Sequence, residues 1–383
     1  MSDLRITDVE ACLIEGPRPW LFVFVHTDAG ITGVGEIPRT THHPADVERV
    51  ADRIVGADPF ETEELFGVGG IVGADPHDRF TTTIAGGLDM ACWDIKGKAL
   101  GVPVYELLGG KCRDRVRLYA NGWDFPAREI VDRYHTGEAL ETVLPDVQDE
   151  LASAAASVAE AGYTAVKFSP FQWGDGPTTT GRELSATLSA IEAVADAVPD
   201  DVDLLIEGHC HLAVDKALTA ARALERFAPG FYEEPVPAEL EPLARVAAAS
   251  PVPIATGEQF VTHRGFTSLL ERTDVTVVQP DVGRAGGITE LVKIAAMASS
   301  HRVGFAPHNA AGPVMTHAAL HVDATTSAFM IQESFEEAFH PSWSRNLLED
   351  PLEIDHGYAT IPDRPGLGVT IDNSVLEAHR LEP

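Results

Sequence analysis

Gly230-Phe231-Tyr232-Glu233-Glu234-Pro235 is the stretch on which the reading of this chain turns. An aromatic run of strand type ends in two carboxylates, and Pro235 then withholds the next ladder donor. The same layout, a brief apolar run followed by a chemically versatile side chain, recurs on both sides of it. Apolar runs fall at 116–119, 165–168, 203–206, 230–232, 253–255, 275–278, 303–306 and 329–331. Between them lie Ala- and Leu-rich segments of helical period, among them 152–161, 184–198, 213–227 and 288–300. Eight strands alternating with helices predict an α/β protein, a (β/α)8 barrel of modified TIM type, over residues 116–345.

Residues 1–115 have a different texture and predict an N-terminal α+β domain. Two β-branched and aromatic runs, 6–14 and 20–26, are separated from a third at 33–36 by the turn Asp28-Ala29-Gly30. Helical spacing follows, with Ile84, Leu88, Ala91, Cys92, Ile95 and Ala99 on one face and Gly101 and Pro103 as the stop. Residues 346–383 are irregular and are expected to pack back on the first domain; 174–181 reads as a mobile loop.

Composition narrows the function. The chain has 383 residues, 44% apolar and 23% charged, which suffices for a large core without staples. No apolar run reaches the ~18 residues of a membrane span, and the charges in Met1–Glu10 argue against secretion. Twenty-eight Lys and Arg against 59 Asp and Glu give a net charge of −31. Such a chain repels phosphate backbones, so nucleic acid is not an expected partner, and an anionic substrate would need a cation in the site. The acidity is spread along the chain, as in proteins of salt-loving organisms, where salt screens the repulsion. Cys12, Cys92, Cys112 and Cys210 form no CxxC pair and read as reduced thiols of a cytoplasmic protein.

Chemistry in such barrels sits at the C-terminal strand ends. Glu207, Glu233 and Glu258 end the third, fourth and fifth predicted strands. Three carboxylates in one mouth repel unless a cation neutralises them, and all-oxygen ligation suits Mg²⁺. His209-Cys210-His211 raises zinc as an alternative, but on an extended segment neighbouring side chains point opposite ways. That same alternation puts His209 on the face of Glu207. Asp281 and His308 end the sixth and seventh predicted strands, where the carboxylate can fix the imidazole tautomer and strengthen it as a base.

The stretch Ala85-Gly86-Gly87-Leu88-Asp89-Met90-Ala91-Cys92-Trp93-Asp94-Ile95-Lys96-Gly97-Lys98, then 101–110, Tyr232-Glu233-Glu234-Pro235, Gln279-Pro280-Asp281, 285–288 and Ala306-Pro307-His308 resemble the enolase superfamily. The resemblance is to its mandelate racemase group, and within it to acid-sugar dehydratases of the galactonate and gluconate type. It implies an N-terminal capping domain, an oligomeric assembly and a sugar-acid substrate. It implies Glu207, Glu233 and Glu258 as Mg²⁺ ligands, His308 with Asp281 as base dyad, His209 as the acid for a departing hydroxyl, and Glu333 on the substrate carboxylate. Asn121, Lys167, Pro19, Trp20 and residues 39–43 would line the substrate. Two departures stand out: the third-strand ligand is usually Asp rather than Glu207, and Ser169 stands where racemases of the group place a second lysine. Ser169 cannot serve as an opposite-face base, which favours one-base dehydration over racemisation. Epimerisation or cycloisomerisation on the same scaffold, and a binding or regulatory barrel without efficient turnover, stay open as rivals.

Overall fold

The computed structural model describes residues 4–16, 19–38, 42–173, 179–335 and 342–382. Three antiparallel strands open the chain: β1 (Ile6–Ile14), β2 (Trp20–Thr27) and β3 (Thr32–Ile37). The helix Arg79–Leu100 packs on them and ends where Gly101 takes a left-handed φ of 71°, a conformation that a Cβ would strain.

Eight parallel strands follow in the predicted order: β4 (Arg115–Ala120), β5 (Ala165–Phe168), β6 (Asp203–Glu207), β7 (Phe231–Glu233), β8 (Ile254–Thr256), β9 (Val277–Val278), β10 (Gly304–Phe305) and β11 (Gln332–Ser334). From β4 to β10 each pairs with the next, β11 pairs back to β4, and a bridge from Phe305 in β10 to Phe329, ahead of β11, closes the ring. The later residues return to both units. The hairpin β12 (Ile354–Asp355) and β13 (Tyr358–Thr360) adds to β4, and β14 (Arg380–Leu381) pairs with β1.

Several boundaries differ from expectation for physical reasons. The eighth strand is displaced from 329–331 to Gln332–Ser334, because the ladder to β4 uses the polar residues that follow the apolar run. The helix expected at 152–161 spans Leu140–Glu160 and carries Pro145 inside it, a residue that reads in sequence as a break. Residues 174–178, most of the expected mobile loop, lie outside the described residues; Thr180 caps the helix Gly181–Ala197 through the Glu183 amide.

The barrel interior is layered. Tyr119, Ala165, Leu205, Phe231, Ala255, Val277, Ala306 and Ile331 form one buried cluster, one residue from each strand position. Side chains along a strand repeat on the same face every second residue. Two positions further on, that face carries Asn121, Lys167, Glu207, Glu233, Gly257, Gln279, His308 and Glu333. The apolar layer thus plugs the barrel, and the layer above it is a polar ring.

Candidate active site

Lys167 is the hub of this ring. It is 2% exposed, and its Nζ lies 2.7 Å from Glu233 Oε1, 2.8 Å from Glu333 Oε1 and 3.3 Å from Glu207 Oε2. Burial raises both Glu207 and Glu233 above the ordinary carboxylate range, with the two like charges reinforcing each other at Glu233. Glu333 is held low against its burial by Lys167 and His308. It also accepts from Asn121 Nδ2 at 2.6 Å and from the Asn309 amide at 2.7 Å. Gln279 Nε2 donates to Glu233 Oε2 at 2.6 Å.

On the far side, His308 Nδ1 lies 2.7 Å from Asp281 Oδ2, and its Nε2 lies 2.9 Å from Glu258 Oε2. Burial would lower this imidazole; the Glu258 and Glu333 carboxylates outweigh it and lift His308 to about 10. Asp281 in turn accepts from the Arg284 amide at 2.9 Å, and the Arg284 guanidinium reaches Glu258 Oε1 at 3.1 Å. Gly257 precedes Glu258 with no side chain because a Cβ there would lie 2.6 Å from the Gln279 nitrogen.

The corner after β6 and β7 is strained. His209, Cys210 and Glu234 have φ of 53°, 60° and 41°, left-handed values that non-glycine residues rarely hold. Bonds fix them: Gly208 N to Glu233 O, Cys210 N to Glu234 O, and His209 N to Glu207 Oε1, at 2.8, 2.7 and 2.8 Å. The His209 side chain is 59% exposed at the mouth, with Nδ1 3.8 Å from Glu207 Oε1.

Among the described residues, no three His, Cys, Asp or Glu side chains stand together as a metal-holding group in this arrangement. Lys167 lies against Glu207 and Glu233, and Glu258 is turned to His308 and Arg284. The donor chemistry fits Mg²⁺ nonetheless. Among the described residues, six carboxylates, Glu207, Glu233, Glu234, Glu258, Asp281 and Glu333, face three permanent cations, Lys167, Arg284 and the more distant Arg79. A divalent ion would offset that excess through oxygen ligands of the kind it prefers.

Two family models match the chain: the mandelate racemase / muconate lactonizing enzyme N-terminal domain over residues 15–109, and the enolase C-terminal domain-like family over 150–375. The chain belongs to the enolase superfamily. It is 34% identical to D-galactonate dehydratase of Xanthomonas oryzae pv. oryzae over 397 aligned positions, covering 100% of this chain and 95% of that one. It is 37% identical to D-gluconate dehydratase of Thermoproteus tenax over 307 residues, which span 79% of this chain and 57% of that protein. Its structure matches the mandelate racemase/muconate lactonizing enzyme of Jannaschia sp. CCS1 with a TM-score of 0.85 at 31% identity, over 99% of this chain and 98% of that one.

In this enolase-superfamily barrel the anticipated residues Lys167, Glu207, Glu233, Glu258, Asp281, His308, Glu333 and Asn121 gather in one mouth, with His209 at its rim. Asn121 uses its amide on Glu333 and the Gly122 nitrogen. The expected lining by residues 39–43 takes a different form. His42 is buried against Phe80, with ring centroids 4.4 Å apart, and His43 caps the helix Pro44–Ala51; residues 39–41 lie outside the described residues. Trp20 is 5% exposed and packs on Phe22 and Trp343. The His209-Cys210-His211 stretch also differs from the extended segment expected for it. Residues 209–210 form a left-handed corner; Cys210 is unavailable to zinc because its Sγ lies 2.5 Å from Glu234 Oε2.

The sequence named Gln279 at a strand end without a role, and gave no place to Arg284 or Gln259. Gln279 had a signal, its place two residues beyond Val277 on the inward face. Arg284, three residues after Asp281, had the spacing of a helical ion pair, which the short helix Val282–Ala285 makes real.

Proposed function

We propose that the protein dehydrates a sugar acid of the gluconate, galactonate or xylonate type to a 2-keto-3-deoxy acid, acting as a hydro-lyase with Mg²⁺ held by Glu207, Glu233 and Glu258. The observation that carries this reading is the pair of imidazoles set apart around the acidic ring: His308, buried and backed by Asp281, and His209, exposed beside Glu207. Relatives that bear the names D-galactonate and D-gluconate dehydratase support it.

Bound Mg²⁺ would supply positive charge beside the substrate carboxylate and so make the adjacent C2 proton acidic. His308 Nε2 takes that proton once Glu258 is engaged elsewhere. The C2–H electron pair is first left on the substrate, delocalised into its carboxylate; in a second step it becomes the C2–C3 double bond as the C3–O bond breaks, and His209 protonates the departing hydroxyl to water. The enol then ketonises. Asp281 holds the His308 tautomer, Lys167 and Glu333 set the carboxylate end of the substrate, and Ser169 leaves the opposite face without a base. The four free cysteines support a reducing, cytoplasmic setting, and no described helix is long and apolar enough to cross a membrane.

The test is a panel of five- and six-carbon sugar acids incubated with protein and Mg²⁺, read as 2-keto-3-deoxy product. Products that keep every oxygen with C2 inverted would replace dehydration by epimerisation; no turnover on any member would return the barrel to a binding role.

A further inference from the structure

Among the described residues, Glu258 is the acidic side chain of the ring that a hydrogen-bond chain from the capping domain reaches. Arg79, the first residue of the helix Arg79–Leu100, donates from Nη1 to Gln259 Oε1 at 2.5 Å. Gln259 Nε2 donates to Glu258 Oε1 at 2.5 Å, the same oxygen that takes the Arg284 guanidinium at 3.1 Å. The chemistry fixes the order of this chain. A guanidinium only donates and a carboxylate only accepts, so an amide between them can face only one way. It also transmits position without contact between the charges: Arg79 orients the amide, and the amide holds Glu258 Oε1, while Oε2 faces His308 Nε2 across the mouth. Arg79 is itself anchored. Asp78 caps the helix through the Thr81 amide, Thr83 Oγ1 donates to the Arg79 carbonyl, and ten residues on, about 15 Å along the axis, Asp89 binds the Thr289 amide and hydroxyl on the barrel.

We propose that Arg79 and Gln259 are positioning residues that set the orientation of Glu258 from the capping domain, so that the barrel's divalent-cation site reaches full affinity only with the Arg79–Gln259–Glu258 chain intact. This rests on the reading of Glu258 as a metal ligand. Neither residue touches the reacting atoms. Their role is that of outer partners, whose loss typically weakens a metal site about 10–100-fold.

The experiment is titration of the full chain with MgCl₂ by calorimetry, beside melting in chelator. Arg79→Met and Gln259→Leu should each raise the Mg²⁺ dissociation constant about 10–100-fold while leaving the metal-free melting temperature near that of the parent. Arg79→Lys, which keeps a donor, should recover most of the affinity. Asp89→Ala, on the same helix but unconnected to Glu258, should lower the melting temperature and leave Mg²⁺ affinity in place. Unchanged affinity in both Arg79→Met and Gln259→Leu overturns the inference, as does an equal loss in Asp89→Ala, which would reduce Arg79 to a docking contact. If the parent chain binds Mg²⁺, Glu233→Gln abolishes binding and neither Arg79→Met nor Gln259→Leu affects it, the inference alone falls. If the parent chain binds no Mg²⁺, the ligand assignment falls and takes the inference with it.

Discussion

Two groups of buried carboxylates lie within this protein, and they are neutralised in opposite ways. At the seam where the capping domain meets the barrel and the C-terminal segment, Glu36, Asp89 and Asp94 are fully buried. Glu36 accepts from the amides of Gly312 and Met315, at 2.5 and 3.1 Å. Asp89 accepts from the Thr289 amide and hydroxyl, and Asp94 from the amides of Val34 and Leu367 and from Lys98. The barrel helices Ile288–His301 and Pro313–Thr325 start at Gly287 and Gly312, which have no side chain to cap with; the capping domain supplies the missing acceptors. These carboxylates have found fixed dipoles and hold structure. In the mouth, among the described residues, six carboxylates share Lys167, Arg284, the more distant Arg79 and a histidine, and mutual repulsion adds to burial in raising Glu207 and Glu233. Burial and charge type are common to both regions. The supply of donors separates an acid that locks a fold from one poised for a cation.

The same conversion of carboxylate to amide should therefore have opposite effects in the two places. Glu233→Gln should cut turnover by ~10³-fold or more, the scale at which preorganised charge supports such steps. Its melting temperature in chelator should hold or rise, because burial already favours the neutral form of Glu233; a clear loss of metal-free stability would put Glu233 in the structural class.

The two imidazoles should separate in kind, each losing roughly 10²–10⁴-fold in dehydration. His308→Asn should also lose exchange of the C2 hydrogen with deuterated solvent, whereas His209→Asn should keep it. Exchange surviving in His308→Asn would move the base to Lys167, and normal dehydration by His209→Asn would remove the acid.

Asp94→Asn should cost about 1–3 kcal/mol, since an amide cannot accept from both Val34 N and Leu367 N as the carboxylate does. At ~2–4 °C per kcal/mol this is visible in a melt, and turnover per folded molecule should persist; lost turnover at full stability would erase the contrast between seam and mouth.

Asp89 gives a smaller, pH-dependent effect. Burial outweighs its Thr289 bonds and raises it from 3.8 to about 7. A raised acid stabilises the fold fully below its unfolded value and loses that contribution as pH climbs through the folded one. Measured against Asp89→Asn, the parent should lose stability between pH 4 and pH 7; a difference that stays flat or grows with pH would show Asp89 ionised throughout. The smallest effect is general. With a net charge of −31, the melting temperature should climb from low to molar KCl as the screening length falls from ~10 to ~3 Å, and a flat curve would remove the salt-adapted reading.

Much of this architecture was legible because it is periodic. Apolar runs mark the lower layer of the barrel, and the chemistry stands two residues further along the same face. The last run stops being legible at its polar end: Gln332–Ser334 are strand residues whose ladder partners come from distant chain. The helix at Leu140–Glu160 was hidden in part by Pro145, whose local signal opposes the packing that surrounds it.

The candidate ligands, dyad and acid could be named from sequence because residue type and strand end are local properties. The left-handed corner at His209-Cys210, the turning of His42 onto Phe80, the Arg284 clamp and the Arg79–Gln259–Glu258 chain could not. Each depends on which donor meets which acceptor across as many as 180 residues of separation. The sequence alone determined the order of strands and the charges each brings to the mouth. Only the tertiary structure decided how those charges pair, because a hydrogen bond is satisfied by proximity and direction, and both exist only after the barrel has closed.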